Sequence, residues 1–163
     1  MKKLTAQRPE MKLIGITCRT NNATIFNSDP SANPISATVQ KYFHEGLAAK
    51  ITHQVKPGTT YCVYTDYESD FNGDYTYFIG EEVSSFDDLP EGFSTLSIPA
   101  QTYSKFTSES GPMPDVCIGM WQSIFQMPSQ ELNRAYISDF EVYDERAMDH
   151  NNVVLDIYIG IQE

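Results

Sequence analysis

The tetrapeptide Tyr77-Phe78-Ile79-Gly80 returns as Ile157-Tyr158-Ile159-Gly160, an offset of eighty residues in a chain of 163. An echo at that spacing reads as a duplicated unit, so the chain is expected to fold as two related halves. The pseudo-repeats run over about 10–84 and 94–163 within a single domain, 1–163. Between them Asp87-Asp88-Leu89-Pro90-Glu91-Gly92 reads as a surface connection. A chain of this length buries roughly 70% of the surface its unfolded form exposes, enough to enclose a ligand pocket.

Each half reads as strand, helix, strand, strand. In the first, Lys12 to Thr17 forms a short apolar strand, and Asn33-Pro34 supplies an N-cap followed by proline at the first helical position. Ile35, Val39, Tyr42, Phe43 and Leu47 then recur at helical spacing, predicting a helix that ends near Lys50. Strands follow at about Tyr61 to Asp66 and Tyr75 to Val83, joined by the Asn-Gly turn in Asp70-Phe71-Asn72-Gly73-Asp74. The second half repeats this order. A strand at about Gln101 to Thr107 leads through Gly111-Pro112-Met113-Pro114 to a helix with the stripe Cys117, Met120, Trp121, Ile124 and Phe125, stopped by Pro128. The last two strands are Ala135 to Tyr143 and Asn152 to Gln162. In the latter Val153, Leu155, Ile157, Ile159 and Ile161 make one aliphatic face, expected to be core.

Twenty-two acidic against eleven basic residues give a net charge of −11, which disfavours a phosphate backbone as partner. The N-terminal residues lack the apolar run of a secretory signal, and no stretch is long and apolar enough for a membrane, so the expected setting is cytoplasmic. Cys18, Cys62 and Cys117 are odd in number and widely spaced, as suits free thiols in a reducing compartment. His44, His53 and His150 show no metal-ligand spacing and read as surface residues, and no phosphate-cradling glycine loop occurs. Neither a metal nor a cofactor is expected, and no catalytic residue is assigned.

The residue that stands out is Glu141, inside the β-prone segment Asp139-Phe140-Glu141-Val142-Tyr143. Alternation puts it on one face with Ile137, Asp139 and Tyr143, and puts Phe140 and Val142 on the other. Whether Glu141's face is solvated or covered, alternation alone leaves open. If covered, an ionised carboxylate needs a positive partner, and a ligand cation would serve. Aromatic rings add attraction of about 0.5–2 kcal/mol each, and Tyr64, Phe78, Trp121, Tyr143 and Tyr158 lie near the elements just placed. Each ring taken singly is more often a core residue than a pocket residue.

In order along the chain, Tyr77-Phe78-Ile79-Gly80, the segment from Ile98 to Phe106, Gly111-Pro112-Met113-Pro114 with Trp121 and Ile124-Phe125, Asp139 to Tyr143, and Asp156 to Gly160 resemble one family. It is the effector-binding domain of AraC-type regulators, multidrug-sensing regulators and gyrase-inhibitor-like proteins, including stand-alone integron-cassette proteins that bind cationic drugs. The resemblance implies an α+β fold of duplicated βαββ units with pseudo-twofold symmetry: an antiparallel sheet, two main helices and a central ligand groove. It also implies that Glu141 faces the groove and pairs with lipophilic cations, with Tyr158 a familiar groove residue and Tyr64 and Phe78 carried over by pseudo-symmetry. About ten residues precede the domain, too few for the helix-turn-helix of the regulators, so a stand-alone binder that does not itself bind nucleic acid is expected. Two alternatives stand beside it: hydrolysis of electrophilic small molecules by a groove Glu and Tyr, and inhibition of a protein partner such as gyrase through an acidic surface.

Overall fold

The computed structural model describes residues 1–27, 33–70 and 72–162. Its elements in chain order are β1 (Lys2–Arg8), β2 (Met11–Asn21), α1 (Asn22–Phe26), α2 (Pro34–His44), β3 (Thr60–Thr65) and β4 (Asp74–Val83), then β5 (Ser94–Ile98), β6 (Gln101–Thr107), α3 (Asp115–Gln126), α4 (Ser129–Leu132), β7 (Arg134–Tyr143) and β8 (Asp156–Ile161). The strands join in one eight-stranded sheet in the order β1-β6-β8-β7-β3-β4-β2-β5, every pairing antiparallel.

That order reads the same backwards when β1 is exchanged with β5, β2 with β6, β3 with β7 and β4 with β8. The duplication seen in the sequence is therefore the symmetry of the sheet, and its axis passes between β3 and β7, where Val63 faces Phe140. To each βαββ unit the structure adds a short leading strand that crosses to the other unit's edge: β1 on β6, and β5 on β2. These strands are weakly patterned because an edge strand contributes little to the core. Lys2 to Thr5 are all exposed. The echoed glycines sit where backbones crowd. A Cβ on Gly80 would lie 2.2 Å from the Ile14 carbonyl oxygen, and one on Gly160 would lie 3.0 Å from that of Ser138.

Asn33 caps α2 by accepting the Ser36 amide at 2.8 Å, with Pro34 opening the helix. The helix ends at His44 and not near Lys50, because Gly46 turns left-handed (φ 61°) and a 3₁₀ turn, Leu47–Lys50, follows. Phe43 falls off the apolar stripe and is 60% exposed, while its neighbour Tyr42 is buried. The turn before β4 closes through Gly73 N–H to the Asp70 carbonyl at 3.2 Å; Phe71 lies outside the described residues. The last strand starts at Asp156, later than expected, since Val153 makes only an isolated bridge to Gly111.

Both long helices cover one face of the sheet. Cys62 packs in the cluster beneath α2 with Ile14, Ile16, Tyr42 and Ile79. Ile157 packs in the cluster with Met120 and Ile124 of α3, together with Val153, Leu155 and Ile159 of the expected aliphatic face. Glu141 lies directly between Cys62 and Ile157 across the ladder, and direct cross-strand neighbours share a face. The opposite face has its own buried cluster, which includes Tyr61, Val63, Phe78, Tyr103, Phe140 and Tyr158.

Candidate functional site

Between the N-terminal ends of the α1–α2 segment and α3 lies a cleft of about 410 Å³. Its sheet-side wall is Tyr64, Tyr67 and Tyr75; α3 contributes Cys117, Ile118, Trp121, Gln122 and Phe125; Asn22, Ile25, Ile35 and Arg134 help to close it. The rings form a connected series. Tyr64 meets Trp121 at 5.1 Å, Tyr77 at 5.3 Å and Tyr75 at 5.6 Å between centroids, and Trp121 meets Phe125 at 5.7 Å. A volume in the range of ordinary ligand pockets, with walls that are mostly aromatic, suits a flat hydrophobic guest.

Glu141 sits behind this wall, 2% exposed. Strand alternation turns it toward the helices, and Tyr64, diagonal to it on β3, reaches across with its hydroxyl to Oε2 at 2.7 Å. The Trp121 indole N–H, delivered by the inward stripe of α3, donates to the same oxygen at 2.7 Å, and the Tyr143 hydroxyl donates to Oε1 at 2.5 Å. All three donors are neutral. Among the described residues no ion pair is made by Glu141, whereas Asp139, two residues earlier on the same face, pairs with Arg134 Nη2 at 2.7 Å and also accepts from the Tyr67 hydroxyl and the Gly160 amide.

Burial, and after it the charge of Glu141, pushes the Tyr64 and Tyr143 hydroxyls and the Cys62 and Cys117 thiols well above their ordinary values. At neutral pH these groups stay protonated. The two hydroxyls donate to the carboxylate, and all four groups are poor nucleophiles, since thiol and phenol reactivity needs the opposite shift.

The structure thus brings together Glu141, Tyr64, Trp121 and Tyr143. Phe78 and Tyr158 it places elsewhere: Phe78 faces Val63, Val63 faces Phe140 and Phe140 faces Tyr158, so all four lie on the face away from the cleft. Tyr158 stacks on Phe140 at 4.7 Å, and the Arg8 guanidinium lies 5.0 Å from its ring centre. The physical reason is the two-residue period of strands. Any residue paired with Phe140 points opposite to Glu141. The sequence reading missed Tyr67, Tyr75, Phe125 and Arg134. Tyr75 shares the face of Tyr77 by alternation, and a second inward carboxylate, Asp139, signals a nearby cation; Arg134's approach depends on a strand irregularity that periodicity does not reveal. His44, His53 and His150 are exposed, and no group of three or more His, Cys, Asp or Glu side chains able to hold a metal is found among the described residues. No described helix is long and apolar enough to cross a membrane.

A duplicated α+β sheet with helices on one face and a cleft between them is the architecture of gyrase-inhibitor-like effector-binding domains. The chain belongs to the integron-associated effector binding protein family, whose profile matches residues 6–161. It is 27% identical over 152 residues to YobU of Bacillus subtilis (strain 168), a protein assigned to the transcriptional regulators, covering 93% of this chain and 92% of YobU. A shorter match, 35% identical over 95 residues, spans 55% of this chain and 34% of the transcriptional regulator BrlR of Pseudomonas aeruginosa. Among solved structures, an integron cassette protein from the mobile metagenome of Vibrio cholerae superposes with a TM-score of 0.75 at 24% identity, over 98% of this chain and 95% of that one. The structure of SAV2435 bound to tetraphenylphosphonium superposes with a TM-score of 0.79 at 14% identity, over 99% and 94%.

Proposed function

We propose that this chain binds hydrophobic, aromatic, cationic small molecules in the cleft between α2 and α3, and that it does so as a receptor without chemistry of its own. The observation that carries the reading is Glu141: a buried carboxylate held by three neutral donors, with no positive partner among the described residues, directly behind an aromatic wall. A buried charge that lacks a counter-charge is stabilised by a ligand that supplies one. Tyr64 and Trp121 serve both needs. Each donates a hydrogen bond to the carboxylate, which makes its ring more electron-rich, and each presents that ring to the cleft, where a cation is attracted by the π face.

The tetraphenylphosphonium complex of SAV2435 supports the ligand class. The protonated phenols and thiols around Glu141 favour binding over nucleophilic catalysis. Three free cysteines suit a reducing, cytoplasmic setting. The test is a thermal-shift and calorimetric screen of lipophilic cations against neutral aryl compounds of the same shape, with product analysis of every hit. Saturable binding that prefers the cations, without turnover, is expected. Equal binding of neutral compounds removes the charge-recognition reading, and turnover replaces the receptor with an enzyme.

A further inference from the structure

The wall of the cleft is shared with a second cavity. Phe125 and Arg134 line both the cleft of about 410 Å³ and a neighbouring cavity of about 330 Å³ formed with Met127, Gln130, Leu132 and Tyr136. Arg134 stands at this junction because β7 is irregular. Arg134 pairs with Ile161 and Asp139 with Ile159, so over that stretch β7 advances five residues while β8 advances two. Within that stretch Tyr136 takes a left-handed backbone (φ 55°), as does Asn133 just before it (φ 53°), and the Asp139 carboxylate bridges the interrupted ladder by accepting the Gly160 amide at 2.7 Å. Left-handed conformations in non-glycine residues are strained and concentrate at functional positions.

The guanidinium produced by this folding back is 8% exposed, paired with Asp139 through Nη2, and covered on its face by the Tyr136 ring at 4.5 Å. Its Nε–H is buried and has no acceptor among the described residues. Hydrogen bonds to guanidinium come in the plane, so the ring on the face does not occupy this donor, and a ligand arm that parts the side chains covering it meets it along the edge. Asp139 neutralises the arginine, which makes the position a donor without net charge.

We infer that the two cavities form one composite site for an elongated ligand. Its aromatic cationic head lies in the larger cleft, and an arm passing Phe125 delivers a neutral oxygen acceptor, such as a carbonyl, amide or ether, to Arg134 Nε–H. The inference rests on the reading of the cleft given above and adds a second determinant to it: the site reads both a charge and, at the far end, an acceptor. A carboxylate on the arm is not preferred over a carbonyl, because buried Asp139 stands beside the guanidinium.

The test uses calorimetry with methyltriphenylphosphonium and with the same head carrying a short arm that ends in an ethyl group, a ketone or a carboxylate. The ketone arm is expected to bind roughly tenfold more tightly than the ethyl arm, as suits one hydrogen bond to a charged donor, and the carboxylate arm no more tightly than the ketone. Arg134→Lys keeps the charge beside Asp139 and removes Nε–H, so the ketone's advantage over ethyl should vanish. Gln130→Trp, at an exposed position, fills the smaller cavity and should remove the gain of every arm; it decides the matter if Arg134→Lys does not fold. A ketone advantage that survives both variants overturns the inference, as does a head that binds with no gain from any arm. Failure of every phosphonium to bind the wild type overturns the reading of the cleft and this inference together.

Discussion

Replacing Glu141 by glutamine should separate the cost of charge from the cost of shape. In the protein the carboxylate is buried and accepts from Tyr64, Trp121 and Tyr143. The indole N–H cannot accept, so the amide introduced by Glu141→Gln has one satisfactory orientation: oxygen toward Trp121 and Tyr64, nitrogen toward the Tyr143 hydroxyl, which rotates to accept. Weaker neutral hydrogen bonds are then offset by the lost desolvation cost of the charge, and folding stability should stay within about 1 kcal/mol of wild type. A ligand cation resting on the Tyr64 and Trp121 rings stands roughly 6 Å from the carboxylate. At an effective dielectric of about 20 the pair attracts by about 3 kcal/mol, or about a hundredfold in affinity. Calorimetry with tetraphenylphosphonium and a neutral triaryl compound, on wild type and Glu141→Gln, should show that loss for the cation and less than about threefold for the neutral compound. Equal losses for both, or none for the cation, would refute the argument that Glu141 supplies the counter-charge.

Trp121→Phe keeps a ring but leaves Glu141 without one of its donors, and urea unfolding should show a loss of about 1–2 kcal/mol. Arg134→Met strands the Asp139 carboxylate, fully buried, without its cation, and the loss should reach about 3–5 kcal/mol by the same measurement. Gly80→Ala drives a methyl group against the β2 backbone and should cost about 3 kcal/mol or more, read as a lowered midpoint in chemical unfolding. Glu81 is buried against Tyr42 and Thr60, and burial raises its carboxyl above the ordinary value. The native state therefore takes up this proton at a higher pH than the unfolded chain does. The resulting stabilisation is present below the unfolded value of about 4.5 and is lost as pH rises through the folded value. Glu81→Gln lacks this dependence, so the stability of wild type relative to the variant should fall as pH rises above about 4.5; a constant difference would show that Glu81 does not titrate across folding.

The duplication, the helices and the prominence of Glu141 were legible in the chain because each is a local or periodic signal. Asn33-Pro34 starts a helix wherever it lies, the stripes of α2 and α3 follow from 3.6-residue spacing, and a repeated tetrapeptide needs no partner to be seen. Alternation even separated Glu141 from Phe140. What it could not supply was register, and register decides which face a residue on another strand shares. Tyr158 and Phe78 belong with Phe140 only because β8 pairs with β7, and β4 with β3, in that alignment; one residue of slip would have sent both toward the cleft. The edge strands β1 and β5 were likewise invisible because their order comes from pairing with the opposite half, and their own side chains bury little. The same holds for the contrast between the two inward carboxylates of β7. From the chain, Asp139 and Glu141 are equivalent neighbours on one face; an irregularity in the ladder folds Arg134 back onto Asp139, while among the described residues Glu141 receives only neutral donors. Charge balance at a buried site is a property of distances between segments far apart in sequence, so the tertiary structure alone determined which of the two carboxylates Arg134 neutralises.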